Sequence, residues 1–258
     1  MSMIPQELPE EVLQTFGAHL VVPLGGRLNR HWRVDVQNTS LVLRRWAQAA
    51  DEVFYEMRLL ERIAALGWPV APVVGEPLTF AGQFWSLAPF LAGEPPSTRA
   101  PKEQRAQGRL LAEFHTDLAT LRDLGQWGKW RRGETTLSPQ SRPDQIVHGD
   151  FAPWNLRFQD GKLSGILDFE LAHRDHRLGE FALSWRGKYD ALIHGYDEVS
   201  PLEPEEWALL TPLWWAFLIE CAYQLLQKDT WDDGWIISKL LQRSPLMGPD
   251  AVSYCPAR

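Results

Sequence analysis

Hydrophobic positions change their period along the chain, and the changes divide it into segments. Arg30 to Val36 is strand-like, Gln37-Asn38-Thr39-Ser40 is turn-like, and Leu41 to Trp46 alternates as the next strand. From about Ala49 to Leu66 the period lengthens to that of a helix, with Val53, Met57, Leu60 and Ala64 on one stripe and Gly67 and Pro69 closing it. Phe84 to Leu91 reads as a buried strand that ends in Ala92-Gly93-Glu94-Pro95-Pro96. Beyond that break helices dominate. Lys102 to Leu124 carries Ala106, Leu110, Leu111, Phe114, Leu118 and Leu121 at helical spacing, Gly125 to Pro143 reads as a surface loop, and Pro212 to Lys228 is an apolar helix.

Two polar residues interrupt apolar stripes. Glu56 lies three positions after Val53 and four before Leu60, which points its carboxylate toward the buried face, where an unpaired charge is costly. Arg44, on the same strand face as Val42, is the cation that would resolve the conflict; the alternatives are Glu52 as its partner or a solvated arginine on a surface strand. His115 lies beside the stripe of the Lys102 helix, where a buried, hydrogen-bonded histidine is expected before a ligand or base. Gly25-Gly26, ahead of the first strand, suits either a phosphate-covering loop or a plain hairpin turn.

The candidate chemistry lies between the two helical stretches. His148-Gly149-Asp150 is followed by Asn155 and, after a predicted hairpin, by Asp168. Leu156 to Phe158 and Leu163 to Leu167 read as its strands, with Asp160-Gly161 suited to a type I′ turn. A hairpin reverses direction, so Asn155 and Asp168 belong to its open end, and Asp150 to the loop entering it. Phosphoryl transfer needs an oriented hydroxyl and phosphates neutralised by Mg²⁺, hence hard oxygen ligands converging on one point. Asp150, Asn155 and Asp168 offer that set.

His148-Gly149-Asp150-Phe151-Ala152-Pro153-Trp154-Asn155-Leu156, followed by Gly165-Ile166-Leu167-Asp168-Phe169-Glu170, resembles the signature of the aminoglycoside phosphotransferase and choline kinase superfamily. The pattern extends to Asp175 and Glu180-Phe181-Ala182, with Glu180 where that family usually has aspartate. The resemblance implies an α+β, protein-kinase-like fold of two lobes: residues 1–92 as a nucleotide-binding sheet lobe with one helix, and 93–258 as a mainly helical catalytic and acceptor-binding lobe. It implies Asp150 as base or hydroxyl-orienting residue, Asn155 and Asp168 as Mg²⁺ ligands, and ATP or GTP as co-substrate. Arg44 stands where a kinase usually has lysine, with Glu56 as its partner, Gly25 and Gly26 cover the phosphates, and the backbone of Leu87 to Phe90 faces the base. Phe169-Glu170 after Asp168, where protein kinases carry Phe-Gly, favours the small-molecule branch. A nucleotide-binding pseudokinase is the alternative from another class.

Composition adds the acceptor and the compartment. Of 33 acidic and 26 basic side chains, 12 and 6 fall in residues 180–258, so nucleic acid is an unsuitable partner. An acidic C-terminal third would attract a cationic acceptor such as an aminoglycoside, whereas Trp207, Trp214, Trp215, Trp231 and Trp235 would suit a choline-like head group. Ordinary solvated helix starts at Glu203, Glu205 and Glu206, and core tryptophans, compete with both. A homoserine-like metabolite is a further acceptor. Cys221 and Cys255 make no disulfide framework, His173 and His176 sit in a charged loop as solvated residues, and neither a membrane span nor a leader is predicted. A cytoplasmic protein is expected.

Overall fold

Alternating side chains need a partner strand on each edge and a covered face, and the first part of the chain supplies both. In the computed structural model, residues 8–26, 29–97, 100–124 and 145–227 are described. The chain divides into two units, Met1–Gly93 with Gln159–Leu167, and Glu94–Phe158 with Asp168–Arg258. The first unit begins with helix α1 (Glu10–Phe16), followed by strands β1 (Ala18–Gly25), β2 (Arg30–Val36) and β3 (Thr39–Arg45), helix α2 (Ala50–Ala65), and strands β4 (Val74–Phe80) and β5 (Gln83–Pro89). All five strands form one antiparallel sheet in the order β1-β2-β3-β5-β4.

The β2–β3 turn is shorter than the sequence suggests. Gln37 and Asn38 both have positive φ, the backbone of a two-residue turn, so β3 starts at Thr39 rather than Leu41. Val12, Trp32, Val34, Leu43, Trp85 and Leu87 form the core over the sheet, with Trp32 and Trp85 stacked 5.7 Å apart. In α2 the buried stripe is Val53, Tyr55, Glu56, Leu59, Leu60 and Ile63, broader than predicted, and Met57 and Ala64 flank it half-buried.

The rest of the chain, in sequence order, contains helix α3 (Pro101–Leu118), strands β6 (Gln145–Val147), β7 (Leu156–Gln159), β8 (Lys162–Ile166) and β9 (His173–Asp175), and helices α4 (Phe181–Ser184), α5 (Asp190–Val199) and α6 (Pro204–Gln227). Strands β7 and β8 form the expected hairpin, with Asp160 and Gly161 both at positive φ. Helix α3 stops short of the predicted Leu124. The Thr120 hydroxyl takes the Asp117 carbonyl at 2.6 Å and Leu121 N–H donates to Leu118 at 3.0 Å, so Leu121 and Leu124 are buried from turns instead.

Ala106 is exposed, and Gln107 and Gly108 face inward in its place. Helices α3 and α5 cross closely there: a Cβ on Gly108 would lie 2.0 Å from the Leu192 carbonyl oxygen, and one on Gly195 2.0 Å from that of Arg105. Helix α6 begins at Pro204, eight residues ahead of the predicted Pro212, which it contains. The predicted loop at 125–143 lies outside the described residues.

Candidate active site

A tight loop follows β6, which pairs antiparallel with β9. Gly149 turns it at φ +83°, where a Cβ would meet the Leu171 carbonyl oxygen at 2.5 Å, so glycine is required. The loop's backbone N–H groups converge on Glu180. Its Oε2 accepts from His148 N at 2.6 Å and Gly149 N at 3.0 Å, while Oε1 accepts from Phe151 N at 3.0 Å and Ser184 Oγ at 2.9 Å. Burial alone would raise the pKa of this enclosed carboxyl, but the hydrogen bond and charge of His115, the charge of His148 and the Phe151 N–H hold it well below the usual carboxylate range.

His115 is the structural histidine expected. It is buried, with Nδ1 2.9 Å from the Tyr196 hydroxyl and Nε2 3.5 Å from Glu180 Oε2. Burial pushes the Tyr196 phenol up to about 12. Phe169 lies against the His148 ring, centroids 4.5 Å apart, and so ties the segment after Asp168 to the loop.

Asp150 and Asn155 meet directly. Asn155 Nδ2 donates to the Asp150 carbonyl at 2.9 Å and to its Oδ2 at 3.2 Å. Two acceptors demand the NH₂ end, which leaves Asn155 Oδ1, a hard oxygen, for another partner. Trp154 Nε1 also donates to Asp150 Oδ2, at 3.3 Å, and Arg186 Nη2 donates to Oδ1 at 3.2 Å. Asp168 has left-handed backbone, φ +65°, immediately before the short 3-10 turn Phe169–Leu171.

In the sheet unit Arg44 and Glu56 form a two-pronged ion pair, Nη1–Oε1 2.5 Å and Nη2–Oε2 3.1 Å. Gln48 Nε2 adds a bond to Glu56 at 3.1 Å, and the Arg44 guanidinium lies 3.5 Å over the Trp46 ring. Arg44 Nε has no hydrogen-bond partner among the described residues. Glu52 is engaged elsewhere, accepting the Ala49 N–H at the start of α2 at 3.0 Å. Gly25 and Gly26 have φ +91° and +113°, and a Cβ on Gly26 would lie 2.1 Å from the Asn29 carbonyl oxygen. His31 stands opposite Arg44 across the β2–β3 ladder, and burial, reinforced by the Arg44 charge, lowers its pKa to about 4.

The structure corrects several expectations about the charged and aromatic surface. Glu206 is not a solvated helix-start residue: it is buried, with Arg177 Nε at 2.8 Å and Nη2 at 2.5 Å. Trp207 and Trp214 belong to the core, while Trp231 and Trp235 lie outside the described residues. His173 and His176 are buried rather than solvated, because β9 pairs with β6 and His176 packs 3.5 Å from Glu206. Sequence reasoning named Glu180 without giving it a role and missed Arg186, both of which contact the loop. Glu180 carried a signal as the extension of the motif, whereas nothing local marks Arg186. Among the described residues no helix is long and apolar enough to cross a membrane.

The sequence profile of the "Phosphotransferase enzyme family" matches residues 19–136 and 121–208. Homoserine kinase of Phenylobacterium zucineum is 30% identical over 200 residues, covering 60% of this chain and 61% of that protein. Homoserine kinase of Xanthobacter autotrophicus is 32% identical over 212 residues, covering 63% and 65%. The chain thus spans less than two thirds of the length of these curated relatives. Among solved structures, a ternary complex of a thermostable mutant of aminoglycoside phosphotransferase APH(4)-Ia with ADP and hygromycin B superposes with a TM-score of 0.66 at 16% identity, covering 96% of this chain and 98% of that one. The GDP complex of aminoglycoside 2'-phosphotransferase-IIIa gives 0.65 at 16% identity, covering 94% and 96%. At these identities the likeness speaks for the fold.

Proposed function

The chain belongs to the phosphotransferase enzyme family, and from that premise we propose that it transfers the terminal phosphoryl group of ATP or GTP to a hydroxyl of a small molecule. The observation that carries this reading is the catalytic loop itself: Glu180 gathers three of its N–H groups, and Asn155 is locked to Asp150 with one amide oxygen left over. Asp150 orients the acceptor hydroxyl and takes its proton. Asn155 Oδ1 and the Asp168 carboxylate would hold Mg²⁺, which supplies neutralisation of phosphate charge when bound. Two protein oxygens suit an ion that takes its remaining ligands from water and phosphates.

Residues 1–92 are read as the nucleotide-binding part and 93–258 as the catalytic and acceptor part. Arg44, held by Glu56, serves as the phosphate-binding cation, and Gly25 and Gly26 allow backbone to approach the phosphates. A cytoplasmic location, where the nucleotide is abundant, belongs to the same reading. A pseudokinase would need nucleotide contacts but not the Asp150 carboxylate braced by Asn155.

For the acceptor, the curated relatives named above support a homoserine-like amino-acid alcohol. Of the features offered for a cationic acceptor, Glu206 is engaged by Arg177 while Glu205 stays exposed, and of those offered for a choline-like head group, Trp207 and Trp214 are core. The test is Asp150→Asn, which preserves shape and removes the proton acceptor: turnover with L-homoserine should fall about 100-fold or more while nucleotide binding and the unfolding midpoint are kept. Wild-type turnover in that variant would remove Asp150 from the chemistry.

A further inference from the structure

Arg186 sits in the turn between α4 and α5 with left-handed backbone, φ +55°, followed by Gly187 at φ +64°. Such a backbone costs an arginine some strain, which fixes the direction in which its side chain leaves the turn. Its guanidinium is aimed, not dangling. Nε donates to the Leu183 carbonyl at 2.6 Å, Cζ lies 4.3 Å over the Trp154 ring, and Nη2 reaches Asp150 Oδ1 at 3.2 Å. Nη1 makes no hydrogen bond among the described residues.

We propose that Arg186 selects the acceptor: it binds an anionic group on the acceptor, a carboxylate, and in doing so loosens its hold on Asp150. The proposal rests on the phosphotransfer reading for its substrate, while its own basis is the arrangement around one carboxylate. Both Asp150 oxygens are occupied, Oδ1 by Arg186 and Oδ2 by Trp154 and Asn155. An acceptor carboxylate that takes the guanidinium edge therefore competes with Asp150 Oδ1 for Nη2.

The contact is suited to exchange. Charge-assisted hydrogen bonds are usually about 2.7–2.9 Å, and the Arg186–Asp150 contact is longer, at 3.2 Å, where Arg177 grips Glu206 at 2.5 Å. Nη1 and Nη2 together present the edge that matches a carboxylate in two parallel hydrogen bonds. A cation beside the base also disfavours a polycationic acceptor approaching the same aspartate.

The experiment compares L-homoserine with 3-amino-1-propanol, which keeps the amino and hydroxyl groups and lacks the carboxylate. In the wild-type protein KM for homoserine should be lower by about 10- to 100-fold, the worth of a hydrogen bond to a charged group. In Arg186→Ala that gap in KM should close because the homoserine KM rises toward that of 3-amino-1-propanol, and Arg186→Lys should restore part of it. Calorimetric binding of both compounds, with no turnover, separates the two readings. Carboxylate-dependent binding that vanishes in Arg186→Ala upholds the arginine's role even if no phosphoryl group is transferred. Transfer to both compounds without preference leaves the phosphotransferase standing and overturns Arg186 as the selector. An equal loss for both compounds in Arg186→Ala would likewise overturn it, since it would make Arg186 a brace for Asp150.

Discussion

Glu56 in the sheet unit, at 3% exposure, and Glu180 in the second unit, at 0%, are both almost completely buried, and the cost of that burial is solved differently at each. Glu56 meets a charge: the Arg44 guanidinium binds both its oxygens, with Gln48 adding a third bond. Glu180 meets backbone, accepting the N–H groups of His148, Gly149 and Phe151 as well as the Ser184 hydroxyl. An ion pair orients one side chain; a carboxylate that collects main-chain donors fixes the path of a loop. The first arrangement suits a cation that must be aimed, and the second suits a loop whose aspartate must stay in place. Glutamate at 180 reaches all three donors, which gives a physical role to the departure from the aspartate usual in the family that the motif resembles.

The comparison breaks most visibly at Glu180. Glu180→Ala leaves three N–H groups without an acceptor in a closed interior and should cost about 3–5 kcal/mol with nearly all turnover. Denaturant unfolding gives the magnitude, and hydrogen exchange should show protection lost at residues 148–151 first; retained protection there would mean that the loop is held by something else. Arg44→Ala comes next, at about 3 kcal/mol, because it strands Glu56. Nucleotide affinity should fall with it. Glu56→Gln should be milder, and the double variant should cost less than the two losses added, as for groups acting through one contact. Strict additivity in a double-mutant cycle would show that the pair does not act as a unit.

The smallest effect is a difference in acid response between the units. The folded pKa of His31 is lowered to about 4 from an ordinary 6.5, so its contribution is complete above about 6.5 and is lost as pH falls toward 4. Glu180 is also depressed, from 4.5, so its contribution persists above 4.5 and is lost only below that value. Between pH 6.5 and 4.5 local stability should therefore decline in the sheet unit and hold in the loop at residues 148–151. Site-resolved hydrogen exchange across that range checks it, and His31→Gln should flatten the decline in the sheet unit.

Legibility in the sequence followed the range of the interactions. Helix α2 and the Asp160-Gly161 hairpin could be read because period and turn chemistry are local. Glu56 could be read as a buried acid in need of a cation for the same reason: helical spacing alone places it on the apolar face. Its partner lies only twelve residues away, on the preceding strand. The end of α3 was misjudged because Leu121 and Leu124 keep an apolar spacing that turns can bury as well as a helix can.

What the chain determined by itself was the order of its elements, the motif from His148 to Asp168, and the need for a partner at Glu56. Only the tertiary structure decided that Glu180, about thirty residues on, would gather the loop's backbone, that Arg186 would face Asp150, and that Glu206 would be buried against Arg177. It also decided that Gly108 and Gly195 would let α3 and α5 meet at backbone distance. The reason is physical: periodicity reports which face of an element is buried, whereas the partner of a buried polar group depends on which distant segment covers that face.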